Sequence, residues 1–279
     1  MSRTTEYGQW NSIKSSWDLW CSPLRPCKDD VELISKAINK RKITSSGLIS
    51  SLILGSTPEL TQLMLDCDND CFAVDMSRSM LDSVWNGKRC NAICSDWQSM
   101  PWIDDCFDLV LCDGGLQLLQ FPGKVKTVLN EVDRVLTKKG IFVCRIFAKP
   151  HSKEDSCTVL KDLFSGKIGN TSELKLRIWP TLQQSVEQGV ILDNVWNYLH
   201  KNVGPWDQLA ERLGWDLDQL KVLDLYKHNQ ATMHFCGLEK FTSFVSSVIN
   251  FSASEILYGT YPGSEQCPII VFERNTLNR

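Results

Sequence analysis

Between Gly47 and Phe147 short apolar runs alternate with longer amphipathic stretches, and no other feature constrains the fold of this chain so tightly. The runs are LISSLILG (Leu48 to Gly55), CFAVDM (Cys71 to Met76), NAICSD (Asn91 to Asp96), FDLVLCD (Phe107 to Asp113) and GIFVCRIF (Gly140 to Phe147). Four of them are near-continuous Val, Ile, Leu, Phe and Cys, as strands are when both faces of a parallel sheet are covered. NAICSD is shorter and more polar, which suits a strand nearer an edge. Helices fit between the runs at Pro58 to Leu65, Ser77 to Trp85 and Gly123 to Leu136. The last carries Val125, Val128, Leu129, Val132 and Leu136 on one face, and KKG (Lys138 to Gly140) supplies the cations and glycine that end a helix. Strand, helix and strand at this spacing imply right-handed crossovers and a doubly wound α/β sheet.

After Pro150 the rhythm changes. Residues 151 to 235 read as helices without strands, near Cys157 to Phe164, from Glu173 to Leu199 with Pro180 interrupting, and from Trp206 to Tyr226. Leu238 to Val248 reads as a further helix. Strands near Glu255 to Tyr261 and Pro268 to Glu273 follow, joined by the Pro- and Gly-containing turn YPGSEQ, as in an antiparallel hairpin. The sheet therefore resumes after an insertion of about 85 residues, and inserts that long inside a compact fold are usually functional. The expected organisation is an N-terminal Trp-rich helical flap over 1–46, a core over 47–150, a helical lid over 151–235, and a helix with two strands over 236–279. In the flap, Trp10, Trp17 and Trp20 are spaced to share a helical face and precede SPLRP (Ser22 to Pro26). Such a stripe either packs on the domain or closes over a bound ligand.

Composition removes several function classes. No apolar window reaches the 18 residues of a membrane span, and the N-terminus has no signal-peptide core, so the expected location is the cytoplasm. The net charge is −3 and the Lys and Arg are dispersed, which argues against nucleic acid as a partner. The 12 cysteines lie singly inside apolar runs, as buried thiols do in a reducing compartment. Cys67 with Cys71 and Cys90 with Cys94 make CxxxC pairs, which miss the CxxC spacing of zinc ribbons, so no metal is expected.

Chemistry gathers at the carboxyl ends of successive strands, where open α/β sheets bind ligands. Strand one ends in Gly55, where the backbone can approach a ligand, and Ser56 or Thr57 can cap the helix that Pro58 begins. Strand two ends in Asp75, 20 positions after Gly55, which suits a carboxylate that accepts two ribose hydroxyls. Asp96 and Trp97 end strand three, a carboxylate for an adenine amino group beside a flat ring. Asp113, Gly114 and Gly115 end strand four, where the bare backbone can admit a methionine-like tail and an acceptor. A single strand-end Asp is most often a helix cap. Four such ends in strand order are hard to obtain from capping alone.

The succession ILGSTPEL, FAVDMSRSML, CSDWQSMPWIDDCFDLVLCDGGLQLL and EVDRVLTKKGIFVCRIF resembles the blocks of class I S-adenosylmethionine-dependent methyltransferases over residues 48 to 147. The prelude WDLWCSPLRP and the ending EQCPIIVFER are similar to a bacterial-type subgroup that acts on small molecules. The resemblance implies a Rossmann-like fold, S-adenosyl-L-methionine as cofactor and a small-molecule acceptor. It makes Gly55 the first glycine of the cofactor loop, Asp75 the ribose acid, Met76 the residue on adenine, Asp96 the adenine acceptor with Trp97 its neighbour, and Asp113 the end of strand four. The usual GxGxG loop is here GSTPE, with Gly55 its one glycine. Trp20 and Arg25 are expected to close over the cofactor, with Arg25 reaching its carboxylate.

No catalytic base emerges. Of His151, His200, His228 and His234, the first and second are better placed by sequence to face an acceptor. Methyl transfer can draw on alignment and desolvation without a strong base. A catalytically silent binding or regulatory module on the same fold is the alternative, motivated by the glycine-poor loop. A nucleotide-dependent oxidoreductase is disfavoured because GxGxxG is absent.

Overall fold

A computed structural model describes residues 14–41, 48–67, 69–152 and 154–275. Trp10 and the expected boundary at 46 and 47 lie outside the described residues. The strands of the main sheet are β1 (Ser50–Leu54), β2 (Asp70–Asp75), β3 (Ala92–Cys94), β4 (Phe107–Asp113) and β5 (Leu136–Arg145). A small pair, β6 (Val190–Ile191) and β7 (Thr232–Met233), precedes β8 (Phe251–Leu257) and β9 (Ile269–Arg274). The main sheet runs β3-β2-β1-β4-β5-β9-β8, parallel from β3 to β5 and antiparallel where β9 joins β5 and β8 joins β9. The direction of winding reverses between β1 and β4, which opens the crevice where a doubly wound sheet takes its ligand. NAICSD is indeed the edge, as its polarity requires.

Near-continuous hydrophobicity is explained by burial on both sides. Leu52, Leu54, Val110, Cys112, Phe142, Cys144, Ile270 and Phe272 face one core. Their alternates Ile53, Leu109, Leu111, Ile141, Val143, Ile269 and Val271 face another. Helices α1 (Lys28–Asn39) and α2 (Pro58–Leu65) cover the second face through Ile34, Ala37, Ile38, Leu60 and Met64. After α3 (Arg78–Ser83), helix α4 (Gly123–Val135) covers the first face with Val125, Val128, Leu129 and Val132, which are all but inaccessible. Lys138 and Lys139 do not end α4; it stops at Val135 and the lysines ride in β5, where edge positions before the core keep them exposed. Helix α1 lies inside the expected flap, yet it packs on the sheet as core.

The insert differs from the expected all-helical reading. Its helices are α5 (Ser156–Phe164), α6 (Thr171–Leu182), α7 (Leu192–Val203), α8 (Trp206–Leu213) and α9 (Leu217–Lys221), and β6 pairs antiparallel with β7 among them. The long helix expected over Glu173 to Leu199 is two helices: α6 ends two residues past Pro180, and the chain then turns into β6. The helix expected over Trp206 to Tyr226 breaks at Gly214, whose left-handed φ of 67° caps α8. The insert has its own core, built on Trp179, Leu174, Val195, Leu199 and Phe235. It leaves and rejoins the sheet at one place, where Lys149 and Gly237 form a parallel bridge. Helix α10 (Leu238–Val248) then lies on the first face beside α4.

Candidate active site

The carboxyl ends of the strands, the N-terminal segment and the insert surround one cavity of about 480 Å³. Trp20, Arg25, Gly55, Asp75, Met76, Asp96, Trp97, Asp113 and Gly114, each expected from the sequence to bind the cofactor, all line it.

Asp75 closes β2. Its carboxylate accepts from the Ser77 backbone N–H at 2.8 Å and from the Ser56 hydroxyl at 3.3 Å, and no cation pairs with it among the described residues. Burial pushes its carboxyl up to about 6, against the pull of those two donors. A desolvated carboxylate with lone pairs to spare is the chemistry a ribose diol fits. Gly55, at φ 98°, turns the chain out of β1 toward α2, a conformation an L side chain resists. Asp96 accepts from the Gln98 backbone N–H at 2.8 Å and from the Gln98 side chain, so a tight turn holds it at the wall.

Trp97 sits deeper than a free stacking ring. Its Nε1 donates to the Val74 carbonyl at 2.7 Å, and its ring fills the space over Gly115, where a Cβ would lie 2.6 Å from it. Asp113 is likewise engaged: both carboxylate oxygens accept from Arg145, at 2.5 and 3.2 Å. Arg145 is fully buried and also donates to the Pro23 carbonyl at 2.7 Å. Asp113 thus fixes the strand-four end and the N-terminal segment relative to one another.

That segment forms another side of the cavity. Arg25 directs Nε and Nη2 onto one oxygen of Glu59, at 2.9 and 2.6 Å, and Nη1 onto the Trp17 carbonyl at 3.2 Å. Its guanidinium lines the cavity while committed to Glu59, so a ligand carboxylate would share it. The ring of Trp20 covers the ammonium of Lys175, which lies 3.6 Å from the ring centroid. Lys175 is buried in α6, and burial lowers it to about 7.

The insert contributes the wall that the sequence did not disclose: Leu192, Trp179, Tyr226, Thr232, Met233 and His234. His151, His200 and His228 are exposed and lie away from the cavity, His200 stacked on Trp196 with ring centroids 4.6 Å apart. His234 is the histidine that reaches it, opposite to the sequence-based preference for His151 and His200. Its backbone N–H donates to the Gln117 carbonyl at 2.8 Å, a long-range contact no local pattern announces. Among the described residues no three His, Cys, Asp or Glu side chains converge as a metal site requires.

Residues 54–144 match the family model described as "Methyltransferase domain". Solved structures are similar over nearly the whole chain. A Rhodobacter sphaeroides protein, named provisionally as a Zn-dependent alcohol dehydrogenase, is 12% identical with a TM-score of 0.62, covering 99% of this chain and 100% of that one. The CcbJ methyltransferase of Streptomyces caelestis is 10% identical with a TM-score of 0.58, covering 97% and 99%. The 1,6-didemethyltoxoflavin-N1-methyltransferase of Burkholderia thailandensis, with 1,6-didemethyltoxoflavin and S-adenosylhomocysteine bound, is 14% identical with a TM-score of 0.53, covering 97% and 88%. At these identities the structures speak to the fold alone. The stretch 54–144 is thus a methyltransferase domain by its family match, and the fold around it is one that solved methyltransferases share.

Proposed function

We propose that the protein transfers a methyl group from S-adenosyl-L-methionine to a small-molecule acceptor in the cytoplasm, with neither nucleic acid nor membrane as partner. One observation carries the reading: nine residues drawn from separate strand ends and the N-terminal segment line a single cavity together with the insert. Its volume of about 480 Å³ lies in the range of small-ligand sites, and cofactor and acceptor must share it. All twelve cysteines are free thiols, in keeping with a reducing compartment. Among the described residues no helix is long and apolar enough to cross a membrane.

The bound cofactor supplies an electrophilic methyl group on a sulfonium. In this reading Asp75 accepts the ribose hydroxyls, Met76 packs on adenine with Trp97 behind it, and Asp96 accepts from the adenine amino group. Gly55 and Gly114 let the backbone approach the methionine tail, and Arg25 shares its charge between Glu59 and the ligand carboxylate. Trp20 and the insert exclude water and hold the acceptor in line, which supplies much of the rate when the reacting atoms are correctly aligned. The binding of adenine and ribose by these groups is tested with S-adenosylhomocysteine and NAD competing for the purified protein. Preference for S-adenosylhomocysteine is expected. Preference for NAD, or affinity for neither, defeats the reading.

A further inference from the structure

His234 is buried in a seat that fixes its tautomer. Nδ1 lies 2.7 Å from the Val186 carbonyl, an oxygen that can only accept, so Nδ1 carries the hydrogen. In the neutral ring Nε2 then holds the lone pair, and the Thr232 hydroxyl 3.2 Å away can donate into it. Thr232 is half-buried on the cavity wall, so an ordered chain runs from the cavity through Thr232 to Nε2. The seat requires glycine: a Cβ on Gly189 would lie 2.9 Å from Cε1 and 3.0 Å from Nδ1 of the imidazole. The His234 backbone is bonded to Gln117, three residues past Gly114, so this chain stands beside the strand-four end.

The other ionisable insert side chains that line the cavity do not compete for the role. Glu187 is exposed and its carboxylate is paired with Lys240 at 2.9 Å. Burial drives the Tyr226 phenol far up, so it stays protonated. Trp179, Leu192 and Met233 give the same wall a flat, apolar character.

Resting on the methyl-transfer reading above, we infer that Thr232 and His234 form a proton relay for a neutral, flat acceptor bearing a weakly acidic O–H or ring N–H. The acceptor's lone pair forms the new bond to the methyl carbon, and the carbon–sulfur electron pair stays on sulfur. The acceptor's proton passes to Thr232 Oγ1 while the Thr232 proton passes to His234 Nε2, and the imidazolium loses it to water after release. A neutral group oriented by its second-nitrogen hydrogen bond is the arrangement such transfer needs.

The test uses umbelliferone as the O–H probe and benzimidazole as the ring N–H probe, with methyl transfer read as S-adenosylhomocysteine formed. The parent protein is expected to methylate at least one. His234→Asn, whose amide can still donate to Val186, should lower kcat about 100-fold with KM little changed. Thr232→Val should lose a similar factor, and the double variant should be no worse than His234→Asn, because the two act as a unit. Calorimetry with S-adenosylhomocysteine should give unchanged affinity in all three. Retention of kcat within a few-fold in either single variant overturns the relay. Failure of both probes in a parent that binds S-adenosylhomocysteine overturns the acceptor class. A parent that does not bind it defeats the methyl-transfer reading instead.

Discussion

The strand-end wall and the insert wall of the cavity are built on opposite principles. The strand ends present carboxylates and glycines at positions set by the parallel ladder. Two of the three carboxylates are held by a neighbour two residues on, as Ser77 holds Asp75 and Gln98 holds Asp96, while Arg145 on the adjacent strand holds Asp113. The insert presents aromatic and apolar side chains held by partners far along the chain, as Phe235 with its backbone N–H on Gln183 at 2.7 Å. Local wiring makes the first wall readable and chemically fixed. Distant wiring makes the second free to differ without disturbing the sheet. The contrast predicts that charge changes on the strand-end wall alter ligand affinity, whereas charge changes in the insert alter stability.

The largest effect should come from Lys175. Its ammonium is buried against Trp20 with no carboxylate partner among the described residues, and burial lowers it from 10.5 to about 7. A base lowered on folding destabilises the folded state fully below the folded value, and the penalty fades as pH rises toward the unfolded value. Lys175→Met should therefore stabilise the protein by about 1–4 kcal/mol near neutrality, the gap closing toward pH 10. Urea unfolding at several pH values measures it, and a destabilised variant would break the comparison.

Asp75→Asn comes next. Replacing a charged acceptor by an amide should weaken S-adenosylhomocysteine by about 1.5–3 kcal/mol, read by calorimetry. The same substitution should stabilise the ligand-free protein. The Asp75 carboxyl rises from 3.8 to about 6 on folding, so the charged form opposes folding above that value. The advantage of the variant, about 1–3 kcal/mol at neutral pH, should shrink as pH falls through 6 and disappear near 4. Loss of both stability and affinity would make Asp75 a structural residue.

In the parent, the same carboxyl should make affinity for S-adenosylhomocysteine fall by up to about tenfold per pH unit below 6, because the ribose hydroxyls bind the ionised form. A pH-independent affinity over that range would remove Asp75 from the site. The smallest effect is expected at Arg25, whose pair with Glu59 is about one-fifth exposed on each side, at 22% and 21%. Arg25→Ala should change stability by no more than about 1 kcal/mol. It should weaken S-adenosylhomocysteine more than adenosine, and equal weakening of the two would place Arg25 outside carboxylate recognition.

What the sequence disclosed follows the same division. The run of residues in FDLVLCD gave β4 to the residue, because burial on both faces leaves a hydrophobic signature no neighbour can erase. Asp75 and Asp96 were legible because each ends an apolar strand run, and Asp75 also lies 20 positions after Gly55. His234 was not, since one histidine before FCG carries no spacing, and its seat depends on Val186 and Gly189 some 45 positions earlier. Nothing in the sequence singles out Lys175; α6 is buried almost all round, which only its packing partners reveal. Strands as short as β6 and β7 leave no periodicity to detect.

The bridge between Lys149 and Gly237, reinforced by the Lys149 backbone N–H on the Cys236 carbonyl at 3.0 Å, brings both ends of the insert to a single seam. A segment whose entry and exit already touch can be lengthened, shortened or exchanged with little change in the entropy of closing the chain, since that term grows only with the logarithm of length. The seam thus acts as a cloning site in the protein itself. Grafting another insert between residues 149 and 237 should preserve the sheet and the strand-end carboxylates while changing what the cavity accepts.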